Sequence, residues 1–171
     1  MSQQAIFYDD LKTPIGTLRL AADEAGLAHV GLPHGKHPLP MEDHWRRDKQ
    51  HLAEAKRQFA AWFAGEIRDF DLPLHPQGTP FQLAVWEALC TIGYAQTASY
   101  ADLARKIDRP RAVRAVGAAN GANPLSIVVP CHRVIGSNGS LTGYGGGLPA
   151  KQWLLAHERR HAPIQALELT A

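Results

Sequence analysis

The chain has 171 residues, of which 45% are hydrophobic and 20% are charged, and its formal net charge is +2. This composition is typical of a globular protein and excludes the disordered and collagen-like classes. The two cysteines form neither a disulfide framework nor a zinc motif, no apolar run is long enough for a membrane helix, and the N-terminus has no signal-peptide pattern. We therefore expect a cytoplasmic protein without membrane association.

The first part of the chain predicts a small sheet followed by a helix. Three strands of a meander are expected over 5–8, 17–21 and 27–32, and the irregular segment 33–47 is expected to be a loop. Asp48 is predicted to cap a helix that ends at Gly65. Its apolar face comprises Leu52, Ala55, Phe59, Trp62 and Phe63. Residues 70–74 are a candidate strand, and the Pro- and Gly-rich segment behind them predicts two domains, 1–76 and 77–171.

The second part predicts a succession of helices. Thr79-Pro-Phe-Gln82 and Ser99-Tyr-Ala-Asp102 are both capping-box patterns, and each predicts a helix start. Pro110 is expected at the first position of a further helix, from Arg111 to about residue 119. Because a tight turn joins these last two helices, they are expected to form a helix-turn-helix. A final helix is predicted to begin at Pro149.

Positive charge is concentrated in the second part of the chain. Residues 1–75 contain 9 Lys/Arg and 11 Asp/Glu, whereas residues 76–171 contain 9 and 5. Five basic residues fall within ten positions: Arg105, Lys106, Arg109, Arg111 and Arg114. Such a cluster is typical of a phosphate-binding surface, and the alternative is an ordinary solvated helix face.

Cys131 is the strongest candidate for a reactive residue. The β-branched segment 127–129 predicts a buried strand that Pro130 ends, and charge on His132 and Arg133 would favour the thiolate. The alternative is an inert core thiol. Cys90 is expected to pack inside its helix.

Several motifs in the second part occur together and in order. They are Arg114-Ala-Val-Gly117, Asn123-Pro124, Pro130-Cys-His-Arg-Val-Ile135, Tyr144-Gly-Gly-Gly-Leu148 and Lys151-x-Trp-Leu-Leu-Ala-His-Glu158. Together they resemble the O6-alkylguanine-DNA alkyltransferases, and the absence of cysteine from residues 1–76 matches the constitutive bacterial branch without zinc. The resemblance is specific over 79–160 and holds only in outline before that. It implies an α+β fold: a small ribonuclease H-like sheet and helix, then a mostly helical domain with a winged helix-turn-helix.

The resemblance also implies a reaction and its catalytic residues. An alkyl group is transferred from guanine O6 to Cys131, and one protein molecule is consumed for each lesion. His132 is the implied base, acting through a water, and Glu158 orients its imidazole. Asn123 is implied beside the nucleophile, although an Asn-Pro turn can be purely structural. Tyr100 is the implied hydrogen-bond donor to the extruded base, and its alternative role is to cover a helix end.

The remaining implied residues bind substrate and DNA. Val134, Tyr144 and Gly145 are expected to form the base pocket, and the absence of a side chain at Gly145 leads us to hypothesise that alkyl groups larger than methyl are accepted. Arg114 is the implied finger that fills the gap left by the flipped nucleotide. The other predicted DNA contacts are Arg105, Lys106, Arg109, Arg111 and Ala115. The expected partner is double-stranded DNA with alkylated bases, with no cofactor, no metal and no obligate protein partner.

Two rival functions stay open at this stage. His157-Glu-Arg-Arg-His161 fits the zinc-protease pattern, although Pro163 disfavours helix beyond it and Glu168 is the sole candidate third ligand. A helix-turn-helix binder of alkylated DNA without transfer would share the fold and the basic cluster. Within the alkyltransferase hypothesis, O4-alkylthymine is an additional candidate substrate, and a monomer is expected, with cooperative binding along DNA as the alternative.

Overall fold

The computed structural model describes residues 3–34 and 41–163 of the chain. The predicted α+β class is confirmed: a four-stranded sheet and a helix come first, and a further set of helices with a short two-stranded ribbon follows. Within the described residues, none of the helices has the length and apolarity that a membrane crossing requires.

The first sheet is mixed, with the strand order β3-β2-β1-β4. Its strands are β1 (Phe7–Thr13), β2 (Gly16–Ala22), β3 (Leu27–Gly31) and β4 (Arg46–Arg47). Strand β1 is longer than predicted and includes the acidic residue Asp9, which is only 1% exposed. This is possible because basic side chains balance the negative charge of Asp9 inside the protein. Its carboxylate accepts hydrogen bonds from Lys56 (2.6 Å) and Arg47 (2.9 Å), so it joins β1 to the following helix and to β4.

Three predictions for the first part need correction. The predicted loop 33–47 ends in strand β4, which pairs in parallel with β1, while its residues 35–40 lie outside the described residues. Helix α1 (Ala53–Phe63) has no side-chain cap; Asp48 instead accepts from the backbone N–H of His51 (2.9 Å). Residues 70–74 make a single bridge, Leu27 to Leu74, because Pro73 has no N–H to donate.

The helices of the second part are α2 (Pro80–Leu89), α3 (Tyr100–Lys106), α4 (Val113–Gly121) and α5 (Leu148–His161). Both predicted capping boxes are present, at Thr79 and at Ser99. Helix α4 begins two residues later than predicted. The chain before it forms a wider turn, in which the residue ahead of Arg109 has a left-handed backbone (φ 56°) and the N–H of Ala112 donates to the Arg109 carbonyl (2.9 Å).

The predicted strand before Cys131 is wrong. Ile127 has φ 78°, and the chain turns back there, so that Val129 N–H donates to the Leu125 carbonyl (2.9 Å). Cys131–Arg133 then form one turn of 3-10 helix. The prediction for Cys90 is also wrong: this residue follows the last buried turn of α2 and is exposed.

A two-stranded ribbon brings the two ends of the candidate site together. Strand β5 (Ala98–Ser99) pairs in parallel with β6 (Val134–Ile135), directly after the 3-10 turn. Because Tyr100 follows β5, this pairing sets the start of α3 beside the Cys131 segment. A single hydrophobic core runs under both parts of the chain, from Leu20 in the sheet to Leu154 in α5.

Candidate active site

A buried cluster of three ionisable side chains forms where the 3-10 turn that begins at Cys131 meets α5. The Nε2 atom of His132 is 2.8 Å from Oε1 of Glu158, which projects from α5. Arg133 donates from Nε to both carboxylate oxygens (3.0 Å each) and from Nη2 to Oε1 (2.7 Å). Its Nη1 donates to the carbonyl of Ile92 (2.7 Å), and the backbone N–H of Ala95 donates to Glu158 Oε2 (3.2 Å). Three residues therefore hold the carboxylate: His132, Arg133 and Ala95.

The charges of this cluster favour a neutral imidazole. Burial acts to raise the pKa of Glu158, but the hydrogen bonds from His132 and Arg133 and the charge of Arg133 outweigh it and lower the pKa to about 2. Burial lowers the pKa of His132, against the opposing effect of Glu158. Because the permanent charge of Arg133 already balances the carboxylate, His132 stays neutral and donates its Nε2–H to Glu158. Its buried Nδ1 makes no hydrogen bond with any described residue, and is the nitrogen that can accept a proton.

The Cys131 thiol is a buried, mostly protonated nucleophile at rest. The residue is 4% exposed, and burial raises the pKa of its thiol. Side-chain hydrogen bonds from Asn123 and Ser126 and the charge of Lys151 act in the opposite direction. The expected contribution of Arg133 to the thiolate is therefore wrong, since its guanidinium is engaged by Glu158. The cation that acts on the sulfur is Lys151.

Asn123 fastens the turn that carries the nucleophile. Its Nδ2 donates to the carbonyl of Val129 (2.8 Å), and its Oδ1 accepts from the N–H of Leu125 (2.9 Å). The Val129 carbonyl also accepts from the N–H of Cys131 (2.8 Å). Asn123 thus has the structural role that its Asn-Pro motif suggested, and it also acts to lower the pKa of the Cys131 thiol.

Lys151 is a functional residue that the sequence reasoning missed. Its side chain is fully buried, and Nζ donates to the carbonyls of Val134 (2.5 Å) and Thr142 (2.9 Å). It therefore joins α5, strand β6 and the glycine-rich loop, residues 136–147. A signal was available, because Lys151, Leu154 and Glu158 have the i, i+3, i+7 spacing of one helix face.

A groove of about 610 Å³ lies between α4 and the glycine-rich loop. Its lining includes the predicted residues Tyr100, Tyr144 and Gly145, together with Val113, Gly117, Ala118, Gly121, Ala122, Thr142 and Gly143. The groove is within the size range of small-molecule sites. Tyr144 links it to the nucleophile, since burial and the neighbouring Cys131 raise the pKa of its hydroxyl. The Tyr100 hydroxyl accepts a hydrogen bond from Thr142 (3.2 Å).

Val134 is not among the residues that line this groove. Its N–H donates to the carbonyl of Cys131, and its carbonyl accepts from Lys151. A carbonyl oxygen has a second lone pair, so one acceptor site remains for a base edge. The pocket role predicted for Val134 stays a prediction.

Trp62 brings the first part of the chain into the site. Its indole is fully buried and stands almost perpendicular to the His132 ring, with 6.3 Å between the ring centroids. Its backbone carbonyl accepts a hydrogen bond from Nε2 of His157, the neighbour of Glu158 (2.8 Å). Sequence periodicity indicated only that Trp62 faces a core. No local pattern could indicate that this core includes the catalytic imidazole.

The basic cluster predicted from the sequence forms an exposed surface on the helix-turn-helix. Its members are Arg105, Lys106, Arg109, Arg111 and Arg114, and Ala115 is exposed beside them. Arg105 forms an ion pair with Asp102, and no ion pair involves the other four within the described part of the chain. Arg114 lies in the first turn of α4, next to Val113 of the groove. Arg114 therefore borders the groove, one turn of α4 before the lining residues Gly117 and Ala118.

The zinc-protease alternative is not supported by the geometry of α5. The three side chains of the pattern already form hydrogen bonds with protein groups. His157 bonds to the Trp62 carbonyl, Glu158 to His132 and Arg133, and His161 through Nδ1 to the His157 carbonyl (2.8 Å). The candidate third ligand, residue 168, lies outside the described residues.

Two family models and a set of curated and solved proteins match this chain. The models are the 6-O-methylguanine DNA methyltransferase ribonuclease-like domain, over residues 6–76, and the DNA-binding domain of the same name, over residues 80–160. The methylated-DNA–protein-cysteine methyltransferase of Methanosarcina barkeri is 47% identical over 91% of this chain and 99% of its own length. That of Mycolicibacterium paratuberculosis is 49% identical, over 92% and 95%. The crystal structure of Mycobacterium tuberculosis OGT in complex with DNA superposes with a TM-score of 0.85 and 45% identity, over 92% of this chain and 96% of that one.

Proposed function

This chain belongs to the 6-O-methylguanine DNA methyltransferase family, and we propose that it repairs DNA by moving the alkyl group of O6-alkylguanine onto its own Cys131. The observation that carries the proposal is a free, buried thiol in the same 3-10 turn as His132 and Arg133, both of which bond to the buried carboxylate of Glu158. A thioether is a poor leaving group, so each molecule acts once.

The chemistry is an SN2 displacement supported by proton transfer. His132 accepts the thiol proton at Nδ1 through a bridging water, and the imidazolium that forms is stabilised by Glu158. The Cys131 sulfur attacks the alkyl carbon, the carbon–O6 bond breaks, and its electron pair goes to the guanine oxygen. Tyr100 and Gly145 line the groove in which this charge develops, and we assign its stabilisation to the Tyr100 hydroxyl and the Gly145 N–H.

The substrate base reaches the groove by leaving the duplex. A base within a stacked helix is inaccessible to a buried thiol, so the nucleotide must be flipped out. Arg114, at the entrance, fills the gap that remains in the stack, and Lys106, Arg109 and Arg111 bind phosphates. This arrangement predicts binding to double-stranded DNA with little sequence preference and a strong dependence on salt.

The first test is the intact mass of the protein after incubation with a duplex that carries one O6-methylguanine. Wild-type protein should gain one methyl group and saturate at one equivalent, and Cys131→Ala should gain none. Lesion binding by wild-type protein without a mass change would favour the alternative, a binder of alkylated DNA that transfers nothing.

A second test separates base flipping from chemistry. Arg114→Ala should slow repair of the duplex but leave transfer from free O6-benzylguanine unchanged, because the free base needs no extrusion. The matched control is Arg109→Ala, which should weaken DNA binding and reduce its salt dependence by about one phosphate contact. Equal losses with duplex and free base in Arg114→Ala would contradict the finger role.

Further proposals concern substrate range, domains, compartment and assembly. The open groove supports O4-alkylthymine as an additional substrate, tested with a thymine lesion in the mass assay. The two family matches support domains 1–76 and 77–171, tested by limited proteolysis. A nucleophilic thiol must stay reduced, which supports a cytoplasmic location, tested by fractionation. We propose that the protein acts as a monomer, tested by its mass in solution with and without DNA.

A further inference from the structure

Tyr100 lies beside helix α4 and bonds to the glycine-rich loop. It is the first residue of α3, where the capping box of Ser99 and Asp102 sets the helix start. Its ring lies next to α4, where a Cβ added at Gly117 would be 3.8 Å from its Cδ1 atom. Its hydroxyl accepts a hydrogen bond from Oγ1 of Thr142 (3.2 Å), and Tyr100, Gly117 and Thr142 all line the groove. The ring and the hydroxyl of Tyr100 therefore have separate supports in the groove wall.

Thr142 is itself held in place through its backbone. Its carbonyl accepts a hydrogen bond from Nζ of the buried Lys151 (2.9 Å), and the same Nζ donates to the carbonyl of Val134 (2.5 Å). Val134 in turn pairs with Ala98 in the ribbon that leads into Tyr100. These contacts connect Thr142 and Tyr100 independently of the bond between their side chains. The Thr142 side chain is exposed, so its hydroxyl is not needed to fill the interior.

The bond from Thr142 leaves the phenol proton of Tyr100 available. A phenol has one donor site and two acceptor sites, and Thr142 occupies an acceptor site. The phenol O–H then turns away from Thr142, because two donors cannot point at each other. We propose that Thr142 is a positioning residue for Tyr100: its hydroxyl donates to the phenol oxygen and so holds the phenol O–H ready to donate to the extruded base.

Donation from Thr142 also makes Tyr100 a better hydrogen-bond donor, because hydrogen bonds in a chain polarise one another. The effect grows as the carbon–O6 bond breaks and negative charge develops on the guanine. Both hydroxyl groups keep their protons, since only the strength of the hydrogen bonds changes. This inference deepens the proposed function and rests on it, because the base that receives the hydrogen bond is the substrate of the transfer.

The test compares Thr142→Val with Thr142→Ser in single-turnover transfer from an O6-methylguanine duplex. Valine keeps the shape of threonine but removes the hydroxyl, whereas serine keeps the hydroxyl. Thr142→Val should lower the second-order rate constant about fivefold, and Thr142→Ser should keep the wild-type value. Because the side chain is exposed and the carbonyl keeps its bond to Lys151, both variants should fold, which thermal unfolding checks.

Tyr100→Phe separates positioning of the phenol from direct contact between Thr142 and the base. This variant should lose more rate than Thr142→Val, since it removes the donor itself. Adding Thr142→Val to Tyr100→Phe should change nothing further. Additive losses in the double variant, a wild-type rate in Thr142→Val, or equal losses in the valine and serine variants would overturn the proposal.

Lesion binding by a Cys131→Ala protein distinguishes failure of this inference from failure of the proposed function. In that background Thr142→Val should lower the preference for the O6-methylguanine duplex over the undamaged duplex about threefold, and only when Tyr100 is present. A wild-type protein that gains no methyl group would refute the proposed function, whereas a lesion preference that depends on Thr142 would still support the positioning of Tyr100. An unchanged preference together with an unchanged transfer rate would refute the positioning alone.

Discussion

Replacement of Arg133 by Gln should make the transfer reaction sensitive to mild acid. In the structure Glu158 receives three contacts of 2.7 to 3.0 Å from Arg133 and one of 2.8 Å from His132. The guanidinium therefore supplies the charge that balances the carboxylate. Without it, His132 becomes the only side chain that can form an ion pair with Glu158, and its protonated form is favoured.

The size of the effect follows from the geometry. An uncompensated carboxylate in direct contact raises an imidazole pKa by roughly 1 to 3, and we expect about 1 to 2 here because Ala95 N–H still bonds to Glu158. His132 acts as a base only when neutral, so a higher pKa moves the acid limb of the rate profile to higher pH. Arg133→Lys keeps the positive charge but loses the two-pronged contact, and is the matched control.

Single-turnover transfer from an O6-methylguanine duplex, followed by intact mass between pH 5.5 and 8.5, measures this limb directly. The Gln variant should lose at least about tenfold in rate at the acid end relative to its own maximum, and the Lys variant should follow wild type. Both variants should be less stable, the Gln variant by about 3 to 5 kcal/mol because it breaks a buried ion pair. A common acid limb in all three proteins would refute the charge-balancing role of Arg133.

The other predictions concern pocket size, the buried lysine and acid stability. Gly145→Ser should fold normally, because a Cβ at this position meets no atom within 4 Å, and it should lower the ratio of benzyl to methyl transfer rates; an unchanged ratio would contradict the pocket hypothesis. Lys151→Met should slow transfer, since it removes the cation that acts on the sulfur. It should also raise the apparent pKa of Cys131, measured from the pH dependence of the rate at which iodoacetamide alkylates this thiol. An unchanged pH dependence would show that Lys151 only joins the loop to the helix. The folded-state pKa of Glu158, about 2 against an ordinary 4.5, is depressed, so its contribution of about 3 kcal/mol is present above pH 4.5 and is lost as the pH falls toward 2. Denaturation at pH 6 and pH 3 should therefore show a smaller loss of stability for Glu158→Gln than for wild type.

Features that depend on neighbouring residues could be predicted from the sequence, whereas features that depend on tertiary contacts could not. The capping boxes at Thr79 and Ser99 were predictable because the groups that bond are three residues apart. The 3-10 turn at Cys131 was not, because β-branched residues ordinarily favour a strand, and only the contacts that hold Ile127 in a left-handed conformation override that preference. The burial of Cys90 was predicted wrongly because the helical periodicity of the sequence continues beyond the last buried turn of α2.

The sequence by itself determined the reactive residue types, their order and the helix starts, because motif spacing and capping are properties of neighbouring residues. Only the tertiary structure decided which charges meet. It assigned Arg133 to Glu158 rather than to the thiol, buried Lys151 against the carbonyls of Val134 and Thr142, and set Trp62 against His132 from the other part of the chain. Each of these is a contact between residues remote in sequence or on opposite sides of a turn. Such contacts follow from the packing of helices and sheet around one core, which no local pattern records.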